Sequence, residues 1–276
     1  MKHKMFKLFI AVVMVFSACT AYAEDIKFGL LMPAKLVAGV EESTQNLSIV
    51  LWHMRAAGHQ PGKYTPRFYS NLATMLMALN AGEIDEFSVA QPVAEYITAM
   101  NPELEFSYAA RITGASFVFG FRAEDGKAMR DKFNSALAEM KKDGTLDALR
   151  QEYCGNPGKD TPNAVKFEHF PDAETVSIAV TGDVPPMDYV AADGQAAGFN
   201  TAILSEIGKR LKVNIKLVYV ETAARTTALM SGRADCVFWY QVYKASKTQP
   251  DTPESVIFSE PYYDFNIFLH VSKKSK

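Results

Sequence analysis

Two stretches of the chain repeat one alternation of apolar and polar positions. They are Ala78-Leu79-Asn80-Ala81-Gly82-Glu83-Ile84-Asp85 and Ala228-Leu229-Met230-Ser231-Gly232-Arg233-Ala234-Asp235. Each reads as a last helical turn, a Gly free to take the left-handed stop position, and an Asp that opens an apolar strand. The strands that follow begin Glu86-Phe87-Ser88-Val89-Ala90-Gln91 and Cys236-Val237-Phe238-Trp239-Tyr240-Gln241. A helix-to-strand unit used twice, far apart in one chain, predicts two similar α/β lobes. In open α/β sheets ligands sit beyond the carboxyl ends of strands, so Gln91 and the trio Trp239, Tyr240 and Gln241 are expected to face one cleft from opposite sides.

The same reading places strands at 26–32 and 67–69. Helices are predicted at 43–55, where Ser43 and Thr44 form the cap, at 71–81 and at 92–100. Strands follow at 106–110 and 116–122, then helices at 127–142 and 146–153 split by Asp143-Gly144. Residues 154–174 are rich in Pro, Gly, Asn and Asp and read as a linker. A fresh series starts at Val176: a strand to Val180, the turn Gly182 to Met187, and a tight turn at Asp193-Gly194. A helix at 199–211, a strand at 215–220, a helix at 222–230 and a last apolar strand at 266–271 complete it. Helices alternating with short apolar strands predict parallel sheets.

The first 23 residues stand outside this pattern. Lys2, Lys4 and Lys7 precede the apolar run Leu8 to Phe16, and Ala21-Tyr22-Ala23 offers a small-x-small cleavage site, so 1–23 reads as a signal peptide. Phe16-Ser17-Ala18-Cys19 is a degenerate lipoprotein box, which makes lipid attachment at Cys19 the second reading. No later segment reaches about 18 consecutive apolar residues, so no membrane span is expected.

Cleavage removes three of the 29 Lys+Arg and none of the 31 Asp+Glu, leaving five more acids than bases. That balance argues against nucleic acid or an anionic membrane as partner, since both need clustered cations. Cys154 and Cys236 remain, free to pair in an oxidising compartment, although Cys236 on an apolar strand also reads as a small buried hydrophobe.

Segment 176–271 resembles the first lobe of family 3 extracellular solute-binding proteins, the polar amino-acid receptors of ABC importers. The marks are Gly182, Pro185-Pro186-Met187, Gly198-Phe199-Asn200, Ser231 to Asp235 and Phe258-Ser259-Glu260-Pro261-Tyr262-Tyr263. Segment 26–155 resembles that family's second lobe and closing helices, through Ala81 to Asp85, Gln91-Pro92-Val93-Ala94, Lys142-Asp143-Gly144-Thr145 and Tyr153-Cys154-Gly155. The family's chain runs first lobe, second lobe, then back to the first. Here the second lobe comes first.

The resemblance therefore implies a two-lobed α/β fold of the type II periplasmic-binding-protein kind, circularly permuted, with two crossing strands as hinge. The implied domains are a signal peptide 1–23, lobe II 24–115, a hinge crossing 116–122 and closing helices 123–155 that pack on lobe I. A linker 156–174, lobe I 175–262 and a second crossing with the C-terminal strand 263–276 follow. Permutation costs little where old termini lie close together at the surface.

Such receptors grip an α-amino acid with an Arg, an acidic residue at lobe II's strand end, and a helix N-terminus. Counted from Asp235 the Arg position falls on Lys247, and counted from Asp85 the acid falls on Ala90. A Lys lacks the bidentate fork and an Ala cannot pair an ammonium group. Arg225, at the start of a helix and expected to be exposed, is the replacement cation, at the spacing used by the family's acidic-ligand branch. Ser43 and Thr44 stand where an anion meets a helix N-terminus, or are plain caps. Trp239 and Tyr240 replace small polar residues and are expected as aromatic walls of the pocket. Gln241, Gln91, Asp183, Asp188 and Met187 complete the candidates.

The implied function is a periplasmic protein that closes around a small polar or carboxylate-bearing ligand and presents it to an ABC-transporter permease, as a monomer and without a cofactor or metal. A dehydratase-like exported enzyme on the same fold is the rival, but no nucleophile or metal motif accompanies the scattered His53, His59, His169 and His270. A sensor that serves no transporter is the third reading.

Overall fold

The computed structural model describes residues 26–31, 64–158, 164–243 and 255–275. The leader, the expected helix at 43–55 with Ser43 and Thr44, and Lys247 lie outside these residues.

The chain builds β1 (Ile26–Leu31), β2 (Tyr64–Tyr69), α1 (Leu72–Ala81), β3 (Glu86–Ala90) and α2 (Gln91–Met100). These form lobe II, in which β1 pairs in parallel with both β2 and β3. A single long strand, β4 (Leu104–Arg122), then leads to α3 (Lys127–Lys142) and α4 (Thr145–Cys154). Lobe I is built from β5 (Thr175–Val180), the short strands β6 (Asp183–Val184), β7 (Asp188–Val190) and β8 (Ala196–Ala197), and α5 (Phe199–Leu211). It continues through β9 (Asn214–Tyr219), a 3-10 turn at Thr222–Ala224, α6 (Arg225–Met230), β10 (Cys236–Tyr243) and β11 (Val256–Phe258). The chain returns through β12 (Tyr263–Lys273).

Among the described residues one sheet of nine strands runs through both lobes, in the order β2-β1-β3-β12-β4-β10-β5-β9, with β11 also paired to β4. Each lobe's outer strands are parallel, as the helix–strand alternation predicts. The sheet as a whole is mixed, because β12 lies antiparallel to β3 and β4. Two strands cross between lobes. β4 pairs with β12 from Leu104 to Phe117, and with β10 and β11 from Ala115 to Arg122. Within 116–122, Ser116 and Phe117 lie between β12 and β10, and the rest lies beside β10 and β11 of lobe I. The change of neighbours falls at 115–117, next to a register shift against β12 between Phe265 and Ile267, opposite 111–115.

The two repeated motifs fold alike. Gly82 and Gly232 both take left-handed backbone angles, with φ of 78° and 73°. Each Asp then ties its strand to a parallel neighbour. Asp85 Oδ2 accepts from Lys27 N at 2.7 Å, and Asp235 Oδ2 accepts from Ser177 N at 2.9 Å. The backbone N–H of each Asp returns a bond to the same residue's carbonyl, at 2.9 and 2.8 Å. Every lobe thus gets the same clamp from the same four-residue pattern.

Helices α3 and α4 dock on lobe I. Phe133 on α3 is fully buried and meets Phe119 and Phe121 of β4 edge-on, at 5.4 and 5.2 Å between ring centroids. Arg210 near the end of α5 binds Asp143 in the α3–α4 turn at 2.8 Å and Glu206 at 3.1 Å. The later described part of the linker, from residue 164, also lies on lobe I, whereas Gly158 at its start lies against Ala99 of α2. Val165 N donates to Ala196 O, Ser205 Oγ donates to Lys166 O, and Asn214 exchanges two bonds with the backbone of Phe170. Cys154 and Cys236 are both free thiols, Cys236 being buried on its strand.

Candidate functional site

The carboxyl ends of β5 and β10 lie side by side, because Cys236 and Val237 pair in parallel with Ile178 and Ala179. Just beyond, β10 bulges: its register against β4 shifts between Val237 and Tyr240. The bulge puts Trp239 at φ 69°, a left-handed angle that a bulky side chain rarely adopts. Such a conformation persists only when its surroundings hold it.

Arg225 is what holds it. Its Nη1 donates to the carbonyls of Phe238 and Trp239, both at 2.9 Å, and its Nε donates to Thr222 O at 3.2 Å. The expected exposed Arg is instead part-buried behind the bulge. Burial holds its pKa below the usual guanidinium value. Of its guanidinium nitrogens, Nη2 finds no acceptor among the described residues. Trp239 N donates to the hydroxyl of Tyr262 at 3.2 Å, and the indole lies on Phe117 with centroids 4.8 Å apart. Burial pushes the Tyr262 phenol pKa up, so the hydroxyl stays protonated.

Trp239 and Tyr240 part company at this bulge. Trp239 is half-exposed, whereas Tyr240 is buried with Val118, Val237 and Val256 in lobe I's second core. The Tyr240 hydroxyl shares a 2.6 Å hydrogen bond with Thr226 Oγ1, and its ring meets Phe258 edge-on. The expectation that Tyr240 walls the pocket is corrected: alternation past the bulge turns it to the helix-covered face. Gln241 is half-exposed on the next position of β10.

The turn after β5 is organised by Asp188. Its Oδ2 accepts from Thr181 N at 2.7 Å, Thr181 Oγ1 at 2.8 Å and Gly182 N at 2.9 Å. Burial raises its pKa in spite of these donors. The turn sends Asp183 across to lobe II, where its Oδ2 accepts from Leu72 N, in the first turn of α1, at 3.1 Å. The other oxygen, Oδ1, is buried with no partner among the described residues. Beside this contact Tyr189 of β7 meets Tyr96 of α2, with centroids 6.2 Å apart. Met187 is fully buried, its sulfur 3.9 Å from Cys154 Sγ, so it supports the turn from behind instead of lining an open pocket.

Arg225 and Trp239 are thus bonded together at the bulge of β10, and Asp183 follows the end of β5. Gln91 goes elsewhere. Its Nε2 donates to Glu95 Oε1 at 2.7 Å, and it lines a separate cavity of about 380 Å³ between α2 and α4. Ala90 is buried and offers no acid at the strand end. Tyr262, Tyr96 and Tyr189 carry no signal in the local pattern. Only the motif Pro261-Tyr262-Tyr263 marked the first of them.

No curated protein matches the chain. Among solved structures, it is similar to the ligand-binding component of an ABC-type import system from Staphylococcus aureus, at 12% identity and a TM-score of 0.43, over 91% of this chain and 66% of that one. It is also similar to the alkanesulfonate-binding protein SsuA from Xanthomonas axonopodis pv. citri, at 11% identity and a TM-score of 0.41, over 90% and 65%. A third likeness is to the BvgS VFT2 domain of Bordetella pertussis, at 10% identity and a TM-score of 0.43, over 92% and 82%. The chain spans slightly less than two thirds of the length of the first two. Residues 176–276, from β5 through the returning strand β12, match the family model of bacterial extracellular solute-binding proteins, family 3.

Proposed function

We propose that the protein is a periplasmic solute-binding protein that closes around a small polar or carboxylate-bearing solute and delivers it to an ABC importer. The observation that carries this is the family match over 176–276 on a lobe that two antiparallel strands join to a second α/β lobe. A solute touching both lobes shifts a hinge equilibrium towards the closed form, which is all that capture and release require. The hinge lies where β4 changes neighbours, next to the register shift in β12.

In this reading the chain is a permuted member of the family, acting as a monomer and without catalysis. The hydrogen bonds of residues 165–170 to lobe I support the permuted order. Trp239 and the Nη2 of Arg225 are the cleft groups offered to the solute, and Asp183 holds the Leu72 amide that a solute carboxylate would compete for. With Ala90 at the acid position, the ammonium half of an α-amino acid has no partner there, so a carboxylate-bearing solute without that requirement fits better.

Mass spectrometry of the small molecules released from protein purified from the exporting cell tests the reading. A stoichiometric polar solute that compacts the protein in small-angle scattering supports it. A solute that is chemically converted on incubation would replace it with the enzyme reading.

A further inference from the structure

The cavity that takes Gln91 has an unusual wall. Gln91 and Glu95 enter from α2 of lobe II, Asp147, Arg150 and Gln151 from α4 packed on lobe I, and Tyr263 from the start of β12. Arg150 is fixed on one side, its guanidinium carbon 4.7 Å from the centroid of the Tyr263 ring. Glu95 is fixed on the other, its Oε1 held by Gln91 Nε2 at 2.7 Å. The two opposite charges face the same space, yet among the described residues no ion pair joins them. Each is held to its own lobe, with about 380 Å³ between the walls, within the size range of small-ligand sites.

We infer that this cavity is a second binding site, distinct from the cleft at the strand ends, for a small zwitterion whose ammonium group meets Glu95 and whose carboxylate meets Arg150. The lining selects the ligand by sign. A plain anion gains Arg150 but meets two carboxylates, and a plain cation gains Glu95 and Asp147 but meets the guanidinium. Only a molecule carrying both charges satisfies both walls, and each contact is a charge-assisted hydrogen bond. Because Glu95 moves with lobe II and Arg150 with lobe I, an occupant also fixes the spacing of the lobes. Its affinity is therefore linked to closure of the cleft.

Titration calorimetry on the mature protein tests this with L-serine and glycine as zwitterions, ethylamine as the ammonium half and acetate as the carboxylate half. The zwitterions are expected to bind, and each half at least about ten-fold more weakly. Glu95→Gln and Arg150→Gln keep the shape and the hydrogen-bonding capacity of the wall, and each is expected to weaken zwitterion binding about ten-fold or more. Trp239→Leu, which alters the strand-end cleft, should leave that binding in place. No binding of either zwitterion to wild type, or wild-type affinity in either Gln variant, overturns the inference. Binding lost in Trp239→Leu but kept in Glu95→Gln also overturns it, while leaving the cleft's role in solute capture intact.

Discussion

Asp183 of lobe I accepts a hydrogen bond from the backbone N–H of Leu72 in lobe II, so one lobe's carboxylate caps the other's helix. The first amides of α1 lack intrahelical acceptors. Asn71 takes one of them through Thr74 N at 2.8 Å, and Asp183 takes another at 3.1 Å while placing negative charge at the positive end of the helix dipole. The contact links the lobes without a solute, and it occupies donors that a solute's carboxylate would otherwise use.

The contact should hold the lobes together in the absence of solute. One hydrogen bond plus the dipole interaction favours the closed form by about 1–2 kcal/mol, enough to shift a balanced equilibrium strongly. Asp183→Ala is expected to raise the solute-free radius of gyration measured by small-angle scattering. An identical scattering curve for both proteins would show that the lobes are held by other contacts.

Arg225 is expected to matter for folding as well as for binding. Truncation to Ala leaves the carbonyls of Phe238 and Trp239 without their donor, at a cost of about 2–3 kcal/mol in unfolding free energy. The Trp239 bulge should relax, which intrinsic fluorescence in a Trp52→Phe background reports, since the chain has two tryptophans. A Lys at 225 reaches one carbonyl at most and should restore only part of either signal. Wild-type stability and emission in Arg225→Ala would mean the bulge holds itself.

What the sequence disclosed and what it hid divide along locality. The bonds from Asp85 and Asp235 to the neighbouring strands have no local mark. The turns at Gly82 and Gly232 are local: a left-handed Gly and, three residues later, an Asp that opens the strand set them, and both appear as expected. The helices from 71 to 211 appear within a few residues for the same reason. β4 read as two strands because its neighbours change midway, from β12 alone to β10 and β11, and no single alternation covers it. The positive φ of Trp239 has no sequence mark, since its cause is an Arg whose carbonyl partners lie over a dozen positions away. Tyr240 was misplaced by that same bulge. Glu95 and Arg150 come to line one cavity only through the docking of α4, which no spacing along the chain encodes.

Gly120 makes room for Tyr240. A methyl added at Gly120 would fall well inside contact distance of the ring atoms Cε2 and Cδ2 of Tyr240, and 3.3 Å from Val256 Cγ1. The ring is tethered through its hydroxyl to Thr226 and cannot simply swing away. Gly120→Ala should therefore cost about 1–3 kcal/mol by overpacking. Adding Tyr240→Leu should remove most of that penalty, so the pair would be strongly non-additive in urea unfolding. Simple additivity would place the ring elsewhere.

The last prediction concerns acid. The Asp143 carboxylate is held down to a pKa of about 2, from an ordinary 3.8, first by Thr145 and then by Arg210. Thr145 N donates to Oδ1 at 3.0 Å and Arg210 Nη2 lies 2.8 Å from Oδ2, so the ionised form both caps α4 and fastens the closing helices to α5. A depressed folded-state pKa means the ionised group stabilises the fold fully above the unfolded value and loses that contribution as pH falls through the folded one. Wild type should therefore lose stability from about pH 4 down to about pH 2 in excess of a variant lacking this carboxylate. Asp143→Asn keeps the shape but not the charge. It should melt at a lower temperature than wild type near neutral pH, and the gap should shrink steadily across that acid window. Melting curves of the two proteins that stay parallel between those pH values would show that Asp143 contributes nothing to holding the closing helices on lobe I.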